Sequence, residues 1–276
     1  MWRKLLLPSS ITLMKIAVCV KQVPDSWAEK KMGSDGLLDR ASVDAVLNDL
    51  DEYAVEEALK LVEANSPTGE AGEGSGHTIT VISMGPERAT EAVRKALSMG
   101  ADDAVVITDP ALSGSDALAT SMVLAAAIKD GGYDIVFCGT ESTDARMSVV
   151  PAMLAERLGY AQLTFAGSVK LDGTTVSIAR QTEFGTEQMS APLPAVVSVV
   201  EKINEPRYPS FKGIMAAKKK TIASKSLADV GVAAPSAWSA VKDSALRPPR
   251  GAGIKVADEG DGGTKLAAYL KEKRIV

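Results

Sequence analysis

From residue 14 to residue 158 the chain alternates between short, almost continuous apolar runs and longer stretches in which apolar positions recur every three or four residues. The first kind predicts strands buried on both faces of a sheet, the second amphipathic helices. Residues 14–23, 77–84, 103–108 and 135–138 are apolar runs. Pro24 and Asp25 end the first of them, and residues 26–42 are polar and contain glycine, which predicts a loop or a short strand excursion. In DEYAVEEALKLVEA, residues 51–64, Ala54, Val55, Ala58, Leu59 and Val62 form one apolar stripe opposite acidic residues, a helical spacing. Pro86 opens a second predicted helix that Gly100 closes. Ser115 or Asp116 caps a third, which runs to Lys129 before Gly131 and Gly132 break it, and a fourth is expected around 151–158. This rhythm predicts an α/β fold: a parallel sheet with right-handed crossovers and helices on both faces.

Beyond residue 160 the pattern changes. Residues 163–171, the Asp172-Gly173 turn and residues 174–180 read as a hairpin. A strand at Gln188 and an apolar one over 195–200 follow, and the whole group is expected as an antiparallel addition to the sheet. From residue 221 prolines (Pro235, Pro248, Pro249) and glycines accumulate, ending in a short predicted helix over 265–273. Such a segment buries little by itself; it reads as an extended C-terminal arm laid on a partner, or else as a disordered terminus. The expected division is a tail, 1–13, a domain, 14–220, and an arm, 221–276.

Composition narrows the class. With 276 residues, 46% hydrophobic and 24% charged, the chain is long enough for one sizeable core. A net charge of −4 argues against a nucleic-acid partner, although the cluster Lys218, Lys219, Lys220 suits an acidic protein. Cys19 and Cys138 fall inside apolar runs, which predicts buried free thiols in a reducing, cytoplasmic setting instead of a disulfide or metal site. Residues 1–13 hold three consecutive leucines before a proline, short of the roughly 7–15 apolar residues of a signal-peptide core. They read as an upstream start or a disordered tail. No stretch approaches the roughly 18 apolar residues of a membrane span, so no membrane insertion is expected.

Candidate chemistry follows from topology. Open α/β sheets bind ligands beyond the carboxyl ends of their strands, here Cys19, Met84 and Gly139. The loop after Gly139 is rich in hydroxyl residues and leads into a helix, which suits either an anion site or an ordinary capping loop. A nucleotide-dependent enzyme is an alternative, but there is no GxxxxGK[ST] loop and no GxGxxG after a strand. The single histidine, His77, has no evident nucleophile partner and reads as a surface residue. Residues 203–220 stand apart. Pro206 and Pro209 bracket Arg207 and Tyr208 and predict an extended surface run, followed by Phe211, a hinge-capable Gly213, and a helix-permissive stretch, 214–217, before the lysines. Composition leaves open a docking element or a connector whose Phe211 folds into the core.

The run NEPRY with its downstream IM and lysine cluster, together with AVEEA, ALSMGAD and LPAVVSV, resembles the beta subunit of electron transfer flavoproteins from about Met14 onward. That resemblance implies a non-catalytic electron-carrier subunit in a heterodimer with an alpha subunit that holds most of the FAD. It implies electron donors among acyl-CoA and other flavin dehydrogenases and a membrane quinone oxidoreductase as acceptor. It also implies a structural AMP against Cys19, Asn48, Asp49, Leu50, Asp51, Met84, Gly139, Thr140, Glu141, Ser142, Thr143, Asp144, Arg146, Ser148, Val149 and Val150. Docking would use Pro206, Arg207, Tyr208, Phe211, Ile214, Met215, Lys218, Lys219 and Lys220, with Phe211 where the family carries a leucine anchor. A bifurcating relative would hold a second FAD in place of AMP; the loop here reads Asp144, Ala145, Arg146 and lacks the family's Thr-x-Gln, which argues against it.

Overall fold

The computed structural model describes residues 13–72 and 75–276, so the expected tail lies, apart from Leu13, outside the described residues. In chain order the elements are β1 (Lys15–Cys19), β2 (Gln22–Pro24), β3 (Ala45–Leu47), α1 (Asp49–Asn65), β4 (Thr78–Met84), α2 (Thr90–Met99), β5 (Asp103–Ile107), α3 (Ala117–Gly131), β6 (Ile135–Gly139), α4 (Val150–Leu158), β7 (Ala161–Asp172), β8 (Thr175–Thr182), β9 (Gly185–Pro192), β10 (Ala195–Val199), α5 (Phe211–Lys219), β11 (Ala223–Lys225) and α6 (Gly262–Glu272). The main sheet runs β11-β5-β4-β1-β6-β10-β7-β8-β9, and β2 pairs with β3 in a small antiparallel sheet of its own. Strands from β11 to β7 are parallel; β8 and β9 continue antiparallel.

Alternating side chains of β1 explain why both faces need helices. Ile16 and Val18 pack with α1 and α2 on one face, while Ala17 and Cys19 pack with α3 and α4 on the other. The chain leaves β1 for β4 and β5 on one side, then returns to β6 on the other. A crevice therefore opens between the carboxyl ends of β1 and β6, the switch point at which such sheets bind ligands.

Four expectations are corrected. The apolar run over 14–23 is not one strand of the sheet: β1 ends at Cys19, and β2 leaves it to pair antiparallel with β3. The apolar run over 195–200 is not part of the antiparallel addition: β10 inserts between β6 and β7 and is parallel to both. Its five residues are all buried, which only an interior strand allows. His77 is 5% exposed instead of lying on the surface. Its Nδ1 accepts the Met14 amide at 3.1 Å and its Nε2 faces the Asn65 carbonyl at 3.4 Å, so the ring ties the start of β1 to the end of α1. The helix expected from 214 begins earlier, at Phe211, so Gly213 sits within α5, whose cap Ser210 accepts the Gly213 amide at 3.0 Å.

Residues 223–225 add β11 to the edge of the sheet beside β5, and Leu227 is buried. One compact unit thus runs on to Lys242, past the expected boundary at 220, and a second comprises Asp243–Val276 with α6.

Candidate functional site

At the crevice the first strand ends in Cys19, which is registered directly against Cys138 of β6. Both cysteines are free and buried. The Cys138 thiol is pushed up by its hydrogen bond with Cys19 and by burial, so it stays protonated. Gly139 follows at the strand end, where a Cβ would come within 2.7 Å of the Leu50 carbonyl oxygen and 2.6 Å of Asp51 Oδ1. Only glycine lets β6 approach the first turn of α1 this closely.

Asn48 occupies the N-cap position of α1 yet makes no side-chain cap. Fully buried, it spends its amide on the loop after β6: Nδ2 donates to the Glu141 carbonyl at 2.9 Å, and Oδ1 accepts the Thr143 amide at 3.0 Å. Three residues on, Asp51 is buried and accepts the Lys21 amide at 2.8 Å. Burial pushes its carboxyl up to about 7, against the opposing pull of the Asn48 side chain, the Lys21 amide and charge, and the Gly139 amide. Asp49 is exposed and Leu50 half-buried in the same turn.

The loop between β6 and α4 is held on every side. Thr140 Oγ1 donates to the Val199 carbonyl at 2.7 Å, and the Thr143 carbonyl accepts Lys30 Nζ at 3.0 Å. Arg146 and Ser148 take left-handed backbone angles, φ 49° and 55°, a conformation that costs roughly 1–2 kcal/mol for a residue with a Cβ. Glu141 braces that turn by accepting Ser148 Oγ at 2.8 Å and Arg146 Nη1 at 3.3 Å. Asp144, with its side chain enclosed, pairs with Lys21 Nζ at 2.9 Å. Arg40 approaches its second oxygen as an ion pair without hydrogen-bond alignment. Burial would raise the Asp144 pKa, but the Lys21 charge, the Ser142 hydroxyl and Arg40 together bring it down to about 2. Among the described residues three polar atoms at this loop are buried without a hydrogen-bond partner in the chain: Arg40 Nη1, Thr143 Oγ1 and Asp144 Oδ2, the last of them facing Arg40 as an ion pair. Met84, at the end of β4, is half-buried beside β1; Val149 precedes α4 and Val150 begins it.

Lys21, Lys30 and Arg40 were not among the sequence candidates. Lys21 follows a strand at the switch point, a position that could have flagged it. Arg40 comes from the 26–42 excursion, and nothing local marks it.

The segment 203–220 divides into a fixed frame and a free face. Arg207 is locked by two carboxylates of α1: Nε donates to Glu56 at 2.7 Å and Nη1 to Glu63 at 2.7 Å. Gly213 lies against α2, where a Cβ would meet the Ser98 carbonyl oxygen at 2.6 Å. Arg94 of α2 donates to the carbonyls of Ala217 and Lys220, and Lys220 Nζ donates to the Ala101 carbonyl at 2.6 Å. Lys220 is therefore a fastening, while Lys218 and Lys219 stay exposed in the last helical turn, where cations favour the helix dipole. Pro206 is half-buried. Tyr208 is 97% and Phe211 80% exposed, with Ile214 and Met215 beside them, so Phe211 does not fold into the core.

Among the described residues no group of three or more His, Cys, Asp or Glu is placed to hold a metal, and no helix is long and apolar enough to cross a membrane. The electron transfer flavoprotein domain matches residues 35–230. Electron transfer flavoprotein subunit beta of Mycobacterium tuberculosis is 47% identical over 271 residues, covering 96% of this chain and all of that protein, as is its counterpart in Mycobacterium leprae. The subunit of Megasphaera elsdenii is 34% identical over 276 residues, covering 95% of this chain and 98% of its own. With fold and likeness in agreement over nearly the whole length, the chain belongs to the electron transfer flavoprotein family, as a beta subunit.

Proposed function

We propose that this chain works as the beta subunit of a heterodimeric electron carrier, holding a structural AMP in the β1–β6 crevice and docking flavin dehydrogenases, acyl-CoA dehydrogenases among them, through residues 203–220. A membrane quinone oxidoreductase is the acceptor in this reading, and the cytoplasm its setting. The observation that carries it is the exposure of Phe211 and Tyr208 on a segment whose other side is locked to α1 and α2. Large aromatic side chains held rigidly in solvent are the anchors that interfaces use.

The crevice residues fit an adenine nucleotide. Arg40 Nη1 and Thr143 Oγ1 are donors that burial leaves in need of acceptors, which a nucleotide's phosphate and ribose oxygens supply. The half-buried Met84 at the end of β4 and the turn at Ser148 and Val149, braced by Glu141, are the further residues this reading assigns to the nucleotide. FAD, held mainly by the alpha subunit, supplies the redox chemistry when bound. The residues of this chain orient the nucleotide, keep the loop rigid and present the docking face.

The test is Phe211→Ala in the alpha–beta complex, assayed for reduction by a panel of acyl-CoA dehydrogenases. Slower acceptance with unchanged flavin content supports docking; rates equal to the parent with every dehydrogenase contradict it.

A further inference from the structure

Arg207 sits inside the proposed docking segment, yet four of the five N–H donors of its guanidinium are already engaged. Nε and Nη2 hold Glu56 Oε2 and Oε1 at 2.7 and 3.0 Å, and Nη1 and Nη2 hold Glu63 Oε1 and Oε2 at 2.7 and 3.1 Å. Both pairs are bidentate. The Arg207 amide adds a bond to Glu56 Oε2 at 3.2 Å, so backbone and side chain are fixed together. Three residues earlier, Asn204 Nδ2 donates to the Tyr53 carbonyl and to Glu57 Oε2, both at 3.0 Å. Tyr53, Glu56, Glu57 and Glu63 recur at helical spacing on α1, away from its apolar stripe. Two carboxylates face one cation, so no net positive charge is left there for a partner to read.

We propose that Glu56 and Glu63 of α1 are positioning residues for dehydrogenase docking, acting through Arg207, and that Arg207 does not itself touch the partner. The inference rests on the docking reading of 203–220. Only a planar fork grips two carboxylates at once; a lysine offers a point charge and would hold one loosely. Between the bracketing Pro206 and Pro209 the clamp sets where Tyr208 emerges and where α5 begins, and thus where Phe211 stands. Without it the docking-competent arrangement becomes one among several, and apparent affinity falls in proportion to its population.

The experiment uses the alpha–beta complex, with Phe211→Ala, Arg207→Gln, Arg207→Lys, Glu56→Gln, Glu63→Gln and the double variant Arg207→Gln/Glu63→Gln. Electron acceptance from an acyl-CoA dehydrogenase is measured as a function of complex concentration, alongside flavin content and hydrogen exchange of the 203–211 amides. If losing the clamp leaves about a tenth of molecules docking-competent, KM rises about tenfold while kcat and flavin content hold. Either glutamate variant should raise KM and speed exchange, Arg207→Lys should fall between parent and Arg207→Gln, and the double variant should be no worse than Arg207→Gln alone. If Arg207→Gln raises KM but both glutamate variants match the parent, Arg207 contacts the partner directly and the inference is overturned, while docking stands. Additive losses in the double variant overturn it likewise. If Phe211→Ala also matches the parent, the docking reading itself fails. Should Arg207 variants not assemble, Glu63→Gln decides, because that side chain is 30% exposed at the helix surface.

Discussion

At single residues, the crevice is built from groups used against type. Asn48 stands where a helix cap is expected but binds the neighbouring loop, so Asn48→Ala leaves the Glu141 carbonyl and the Thr143 amide unpaired. The expected loss is about 1–3 kcal/mol in unfolding free energy, with reduced nucleotide retention in the purified complex. Gly139→Ala forces a methyl onto the Leu50 backbone and should cost about 1–3 kcal/mol in a thermal or denaturant melt. Asp51 carries a pH signature. Its carboxyl is raised from 3.8 to about 7 in the folded chain, so it is protonated in both states below about pH 4. As pH rises to 7 the unfolded chain ionises it freely while the folded chain resists, and native stability falls across that window. Measured as Tm, Asp51→Asn should gain on the parent from pH 4 to 7; a constant difference would show that Asp51 is not the group responsible.

At the scale of elements, the strands of the main sheet and the helices up to residue 158 were legible because each carries its own period and its own punctuation, whereas the three-residue β2 and β3 are too short to show one; Asp116 caps α3 as its position suggests, accepting the Ala119 amide at 2.9 Å. The place of β10 was not legible. A hairpin turn is local, but insertion between β6 and β7 depends on strands far apart in sequence. The same limit hid the clamp, because Arg207 and Glu56 are separated by 151 positions and an acidic helix face reads as solvated. Nor did composition tell which lysines are free: Lys220 is taken by the Ala101 carbonyl, whereas Lys218 and Lys219 are not buried. One element can be tested through its close approach. Gly213→Ala should push α5 off Ser98 and weaken dehydrogenase docking several-fold with nucleotide content intact; an unchanged KM would mean that the face does not depend on this seat.

For the whole molecule, the parallel core places a crevice at its switch point, and the segment after β10 crosses back over α1 and α2 to end at the sheet edge with β11. The helix that supplies Asn48 and Asp51 to the crevice also supplies Glu56 and Glu63, which hold Arg207 of the segment 203–220. Family, fold and switch point were all within reach of the sequence motifs. Nucleotide identity was not, since the loop from Asp144 to Arg146 departs from the family pattern and its partners, Lys21 and Arg40, arrive from distant segments. The measurement to make is nucleotide analysis of the complex co-expressed with its alpha subunit, denatured and separated by chromatography. One FAD and one AMP per heterodimer is the predicted result. Failure to form a complex, or a complex without flavin, would contradict the electron-carrier reading, and two FAD without AMP would contradict the assignment of the crevice.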